Sequence, residues 1–222
     1  MNDEAYLLKK HSLSLSEFER QISAIEYETV YEKYKNKDES GAEKAHFPAV
    51  NVVFYRSVFE LGSVISPMDL VKDYLRYYEE QFIIKDGSIF YLDKKYSYDS
   101  FVGRLLRTYP SLIRDFDFFL KLVESHYFDQ VIYSCKMDIA GKDITIRSKG
   151  QEYVISLFVD TNRSIFFKRL KNKYRHNYSS NEIQVPLQLK GATKCGDFFI
   201  YDDSYIEKVK EYIIKIAQKG TN

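Results

Sequence analysis

The side chains best suited to chemistry in this chain are cations. From Lys136 to Asn177 there are ten Lys or Arg (136, 142, 147, 149, 163, 168, 169, 171, 173 and 175) against four acids (138, 143, 152 and 160). Ten minus four is a local charge of +6 in a chain whose formal net charge is +1, so the remaining residues sum to about −5. Within this block Thr161, Asn162, Arg163 and Ser164 stand where a helix should begin. Free backbone amides and the helix dipole favour an anion there, and a guanidinium such as that of Arg163 grips phosphate bidentately. Lys168, Lys171, Arg175 and His176 follow within two turns and a loop, with Tyr174 and Tyr178 between and beyond them. Cations interleaved with aromatic rings suit a sugar-phosphate backbone or an unstacked base. The alternative is a solvated charged face that answers acids elsewhere, such as Glu26, Glu28 and Glu32.

Other chemistry has little support. His11, His46, His126 and His176 have no metal-ligand spacing. The nine glycines form no phosphate-binding loop, and no GxSxG elbow occurs. Cys135 and Cys195 lie 60 residues apart without CxxC spacing and read as buried thiols in a reducing compartment. Uninterrupted apolar runs reach only four residues, far short of the ~20 that cross a bilayer, so no membrane partner is expected. The N-terminus places acids before its first basic pair and has no apolar signal region, and the expected location is the cytosol. Twenty Tyr and sixteen Phe without any Trp read as the imprint of a low-GC genome, though surface tyrosines can also stack on bases.

Two kinds of element must position these groups. The first half, residues 1–126, reads as helical. Ser14 and Glu17 suggest a capping box ahead of a stripe of Leu15, Phe18, Ile22 and Ile25, in a helix running to about Lys35. Pro48 sits in the first turn of a second helix ended by Gly62, and Ser66-Pro67 starts a third. Asp86-Gly87 marks a short hairpin. Ser97 caps a fourth helix, and Pro110 opens a fifth. The second half, residues 127–222, alternates strand and helix patterns. Strands are expected at 130–134, 143–147, 152–159, 182–189 and 197–201, with a turn at Lys149-Gly150. A basic helix falls at 162–173, and an amphipathic helix starts near Asp203 and stops by Gly220. Pro186 places its strand at a sheet edge. The fold class is α+β, and from residue 110 the order is α-β-β-β-α-β-β-α.

That order, with Asp143 at the start of its second strand, resembles the PD-(D/E)XK restriction-endonuclease-like core over residues 110–189, about a third of the chain. The resemblance implies a divalent ion, Mg²⁺, held by carboxylates, which activates water and neutralises charge developing on phosphorus while a lysine positions the water. Asp143 matches the first acid. Where Glu-x-Lys should follow, the chain reads Ser156-Leu157-Phe158, so the core is degenerate. Glu124 on the preceding helix, or Asp138 or Asp160, would have to supply the second metal ligand, and Lys168 or Arg163 the catalytic cation. The expected function is therefore association with nucleic acid, as in restriction or phage defence, with a metal-dependent nuclease as its catalytic form. A non-catalytic subunit that docks a larger protein through its helical half is the alternative.

Overall fold

The computed structural model describes residues 13–35, 42, 45–133, 137–138, 141–162, 164–165 and 181–219. Its centre is a helix of 27 residues, α5 (Tyr98–Glu124). Ser97 caps it by accepting from the Ser100 amide at 3.1 Å, as the sequence leads one to expect. The helix does not stop at Pro110 but passes through it. Proline has no N–H, so the carbonyl of Leu106, four residues back, loses its helical donor. Tyr27 replaces that donor: its hydroxyl gives a buried hydrogen bond of 3.0 Å to the Leu106 oxygen. Two expected helices are therefore one, because a distant side chain repairs the defect.

Tyr27 begins α2 (Tyr27–Glu32), which follows α1 (Leu15–Ser23). The single helix expected over 14–35 is thus divided. The division has a tertiary cause. Gly196, in the turn between β8 (Thr193–Cys195) and β9 (Phe198–Ile200), lies so close to the end of α1 that a Cβ there would sit 2.9 Å from the Ser23 Cα. Gly196 also has φ of +56°, which glycine adopts without strain. Next to it, Asp197 accepts from the Glu28 amide at 2.9 Å and so serves the first turn of α2.

Helix α3 (Asn51–Arg56) continues as a π-turn over Ser57–Leu61 and ends at Gly62, whose φ is +63°. Helix α4 (Pro67–Tyr77) has Ser66 as its cap and Pro67 in its first turn. A three-stranded meander follows, β1 (Ile83–Lys85), β2 (Ser88–Tyr91) and β3 (Lys94–Ser97). The Asp86-Gly87 turn has positive φ at both residues, as a two-residue hairpin requires. The second turn, Leu92-Asp93, also has positive φ at both but lacks glycine, so the sequence gives no sign of β3.

The second half contains a four-stranded sheet in the order β4 (Gln130–Ile132), β5 (Ile144–Ser148), β6 (Gln151–Val159), β7 (Glu182–Leu187). The first two pairings are antiparallel and β6–β7 is parallel. Lys149 and Gly150, both at positive φ, turn β5 into β6, and Pro186 lies in the edge strand β7. One face of this sheet, including Ile144, Ile146, Ile155, Leu157, Ile183 and Val185, joins the same apolar core as α5. Ser156 and Gln184 alternate with those residues and belong to the opposite face. The C-terminal helix α6 (Ser204–Lys219) packs on β7. The mixed α+β class is as expected, and no helix among the described residues is long and apolar enough to cross a membrane. The core cluster runs from Leu13 to Ile213, across the expected boundary at residue 126.

Replacing Tyr27 by Phe should lower the unfolding free energy by roughly 1–3 kcal/mol, the usual consequence of a buried carbonyl left without a donor. In a Pro110→Ala background the same change should have a much smaller effect, because the backbone amide restored at position 110 reaches the Leu106 carbonyl. Denaturant titration of the four proteins in this cycle checks the coupling, and strictly additive effects would contradict it.

Candidate functional site

The element that carries most of the basic block is the connection between the parallel strands β6 and β7. Residues 160–181 hold Arg163, Lys168, Arg169, Lys171, Lys173 and Arg175 against Asp160, six minus one or +5. Its entry is described. Asp160 donates its amide to the Leu187 carbonyl at 2.9 Å, and its carboxylate accepts from the Gln188 side chain. Thr161 then caps a helical turn, its hydroxyl oxygen accepting from the Ser164 amide at 3.2 Å, and the Ile165 amide bonds the Thr161 carbonyl at 2.9 Å. Ser164 is thus at a helix start, where the sequence places it. Arg163, Lys168, Lys171, Arg175 and His176 lie outside the described residues.

Asp143 precedes β5 and runs beside β6 near the strand end from which the basic connection leaves. Its amide donates to the Ile155 carbonyl at 2.9 Å, and its carboxylate accepts from the Leu157 amide. It belongs to a polar cluster between the sheet and the helices, in which Arg114 is buried and Asp115, Asp138 and Asp143 are half-buried. Arg114 of α5 is only 7% exposed and donates to Asp115 at 3.1 Å. Burial alone would make that guanidinium easier to deprotonate, but Asp115, Tyr201 and Asp143 hold it above its ordinary value. Beside it the Tyr55 and Tyr133 rings lie 3.8 Å apart, centroid to centroid. Asp138 accepts from the Tyr133 hydroxyl at 2.6 Å and from the Asn51 side-chain Nδ2 at 2.9 Å. Burial, then Asp138 and Asp115, push the Tyr55 hydroxyl well above the usual phenol range, and Asp143 adds to this. Asp138, an alternative second acid in the sequence, therefore does share surroundings with Asp143.

Glu124 does not. It is in the last turn of α5, ten residues or about 15 Å along the helix from Arg114. Its carboxylate accepts from the Leu15 amide at 2.6 Å, which serves the start of α1. It also faces a cavity of about 460 Å³, lined among others by Lys121, Tyr127, Asp203 and Glu207. The pair of metal ligands expected at Asp143 and Glu124 is not brought together. Among the described residues no group of three or more His, Cys, Asp or Glu is arranged to hold a metal ion. Asp143 and Asp138 each already accept protein hydrogen bonds. Among the described residues this donor set does not fit Mg²⁺, which takes an octahedral arrangement of oxygens.

On the outer face of the sheet Ser156, 2% exposed, donates to the Gly141 carbonyl at 2.9 Å and lies 3.0 Å from the Glu182 carboxylate. The other Glu182 oxygen is buried and has no hydrogen-bond partner among the described residues. Ser156 occupies the position where the resemblance asks for an acid, and the nearest carboxylate comes instead from β7. Sequence reasoning misses Glu182 because it lies 26 positions further on and only strand pairing reveals it.

The chain matches no protein-family model, no curated protein and no solved structure.

If the carboxylates are engaged as described, millimolar Mg²⁺ should leave the melting temperature unchanged, since only a ligand that prefers the folded state raises it. Differential scanning fluorimetry with MgCl2 or EDTA checks this. A rise of several degrees with Mg²⁺ would show a site that the described carboxylates do not account for.

Proposed function

We propose that this protein associates with nucleic acid through the connection between β6 and β7, on a degenerate nuclease-like core that holds the connection in place without cleaving its ligand. The observation that carries the reading is the concentration of +5 of formal charge in residues 160–181, within a chain of net charge +1. A sugar-phosphate backbone is the natural partner for such a block, because each neutralised phosphate releases condensed counterions. The placement of Thr161 and Ser164 at a helix start next to the sheet supports phosphate contact there. The cluster of buried Arg114 with half-buried Asp115, Asp138 and Asp143 is the scaffold under this end of the sheet, and its internal pairing argues for a structural task. A role in restriction or phage defence belongs to the same reading.

A second reading, docking to a larger protein through the helical half, draws support from exposed apolar side chains there. Ile83 and Ile84 in the edge strand β1, and Leu92 in the next turn, are each more than half exposed.

The two readings separate by salt. Binding of an oligonucleotide should weaken as salt rises, with log affinity falling against log salt by about 0.7 to 0.9 per phosphate contact. Changing Lys168, Lys171 and Arg175 together to Ala should flatten that slope by about two to three units. Fluorescence anisotropy with DNA and RNA at several salt concentrations gives both slopes. No binding at low salt would overturn the nucleic-acid reading in favour of protein docking.

A further inference from the structure

A second buried charge cluster lies on α5, one turn from the cavity and apart from the basic connection. Asp117 is fully buried. One of its carboxylate oxygens accepts from the Lys121 ammonium at 2.7 Å, and the other has no hydrogen-bond partner among the described residues. Lys121, 7% exposed, also donates to the Tyr201 carbonyl at 2.8 Å and pairs with Glu19 of α1 at 3.4 Å. Asp117 is thereby faced by Lys121 from its own helix, by Glu19 from α1 and by Asp203 from the start of α6. The thiol of Cys195, on β8, lies in the same field and donates to the Glu19 carbonyl at 3.3 Å. Two carboxylates, Asp117 and Glu19, therefore flank one ammonium, and Asp203 acts on Asp117 through its charge.

We propose that this junction of α1, α5 and α6 is a proton-operated latch, closed when Asp117 carries a proton and loosened at Glu19 and Asp203 when that proton leaves. The physical reason is charge balance. With Asp117 neutral, Lys121 answers Glu19 and bonds the Tyr201 carbonyl, and the site holds little excess charge. With Asp117 ionised, a carboxylate oxygen without a donor is buried at full charge. Like charge then acts on Glu19 and on Asp203, which sit on the two elements that the latch joins to α5. Lys121 and Asp203 both line the 460 Å³ cavity, so loosening also alters its wall.

Burial pushes the Asp117 carboxyl up to about 7, against the pull of Lys121 and helped by Glu19 and Asp203. Its folded value lies above the ordinary value of 3.8, so the folded state binds the proton more tightly. The stabilisation is complete below about pH 4 and is lost as pH rises through about 7.

The test is a titration of side-chain carboxyl ¹³C shifts in the unmodified protein, with Asp117→Asn identifying the resonance. We expect a midpoint near 7. Amide exchange in residues 204–219, corrected for intrinsic rates, should rise between pH 5.5 and pH 8 by about tenfold for each pH unit's worth of proton affinity released at Asp117. In Asp117→Asn that rise should be absent, and the melting temperature of the unmodified protein should fall relative to the variant over the same interval. A midpoint below pH 5 would overturn the proposal, as would identical exchange profiles in the two proteins. Should the variant fail to fold, through-bond assignment of the Asp117 carboxyl in the unmodified protein identifies the resonance, and its midpoint decides.

Discussion

The hydrogen bond from the Tyr27 hydroxyl to the Leu106 carbonyl is what lets one helix organise the molecule. At 27 residues α5 is about 40 Å long, enough to reach every other layer. It packs against α1 and α4, against the β9 strand and beside β3 and β4. A helix that ended before Pro110 would separate the residues that meet Phe82, such as Phe101, from those that meet Tyr201, such as Phe118. Tyr27 also stacks near Tyr109 and Phe198. The ring that repairs the helix is therefore part of the aromatic core that joins the two halves. Its hydroxyl is pushed above the ordinary phenol value by burial, so it remains a donor at any ordinary pH.

That arrangement explains what the chain reveals and what it hides. Caps at Ser14, Ser66 and Ser97 are legible because each lies within three residues of the amide it serves. The Asp86-Gly87 and Lys149-Gly150 turns are legible because glycine marks positive φ. The continuity of α5 through Pro110 is not, since it depends on a tyrosine 79 residues from Leu106. Nor is the break after α1, which is imposed by Gly196 and Asp197. Local signals carry local structure, and the failures are all places where a distant residue overrides them.

The same division runs through the polar sites. The basic connection is visible as composition, and the start of its helix at Thr161 and Ser164 agrees with that reading. Asp143 is visible from its place ahead of a strand, but its hydrogen bond to Leu157 and its position near Arg114 need the fold. Arg114, Asp117 and Lys121 do leave a signal in the sequence. They recur at i, i+3 and i+7 among Leu112, Ile113, Phe116, Phe118 and Phe119, so a helix apolar on that many sides must bury them. Buried charges of this kind need partners, and Lys121 finds them on its own helix, on α1 and at the Tyr201 carbonyl.

The polar groups of the fold thus divide into an interior set, held largely by contacts within the protein, and a basic connection whose six cations meet a single acid, Asp160, in their own stretch of sequence. The most direct test of that division is hydrogen–deuterium exchange with and without a short oligonucleotide. The account predicts that added protection is confined to residues 160–184. Protection over α3, α4 and the β1–β3 meander, with none in that connection, would contradict it.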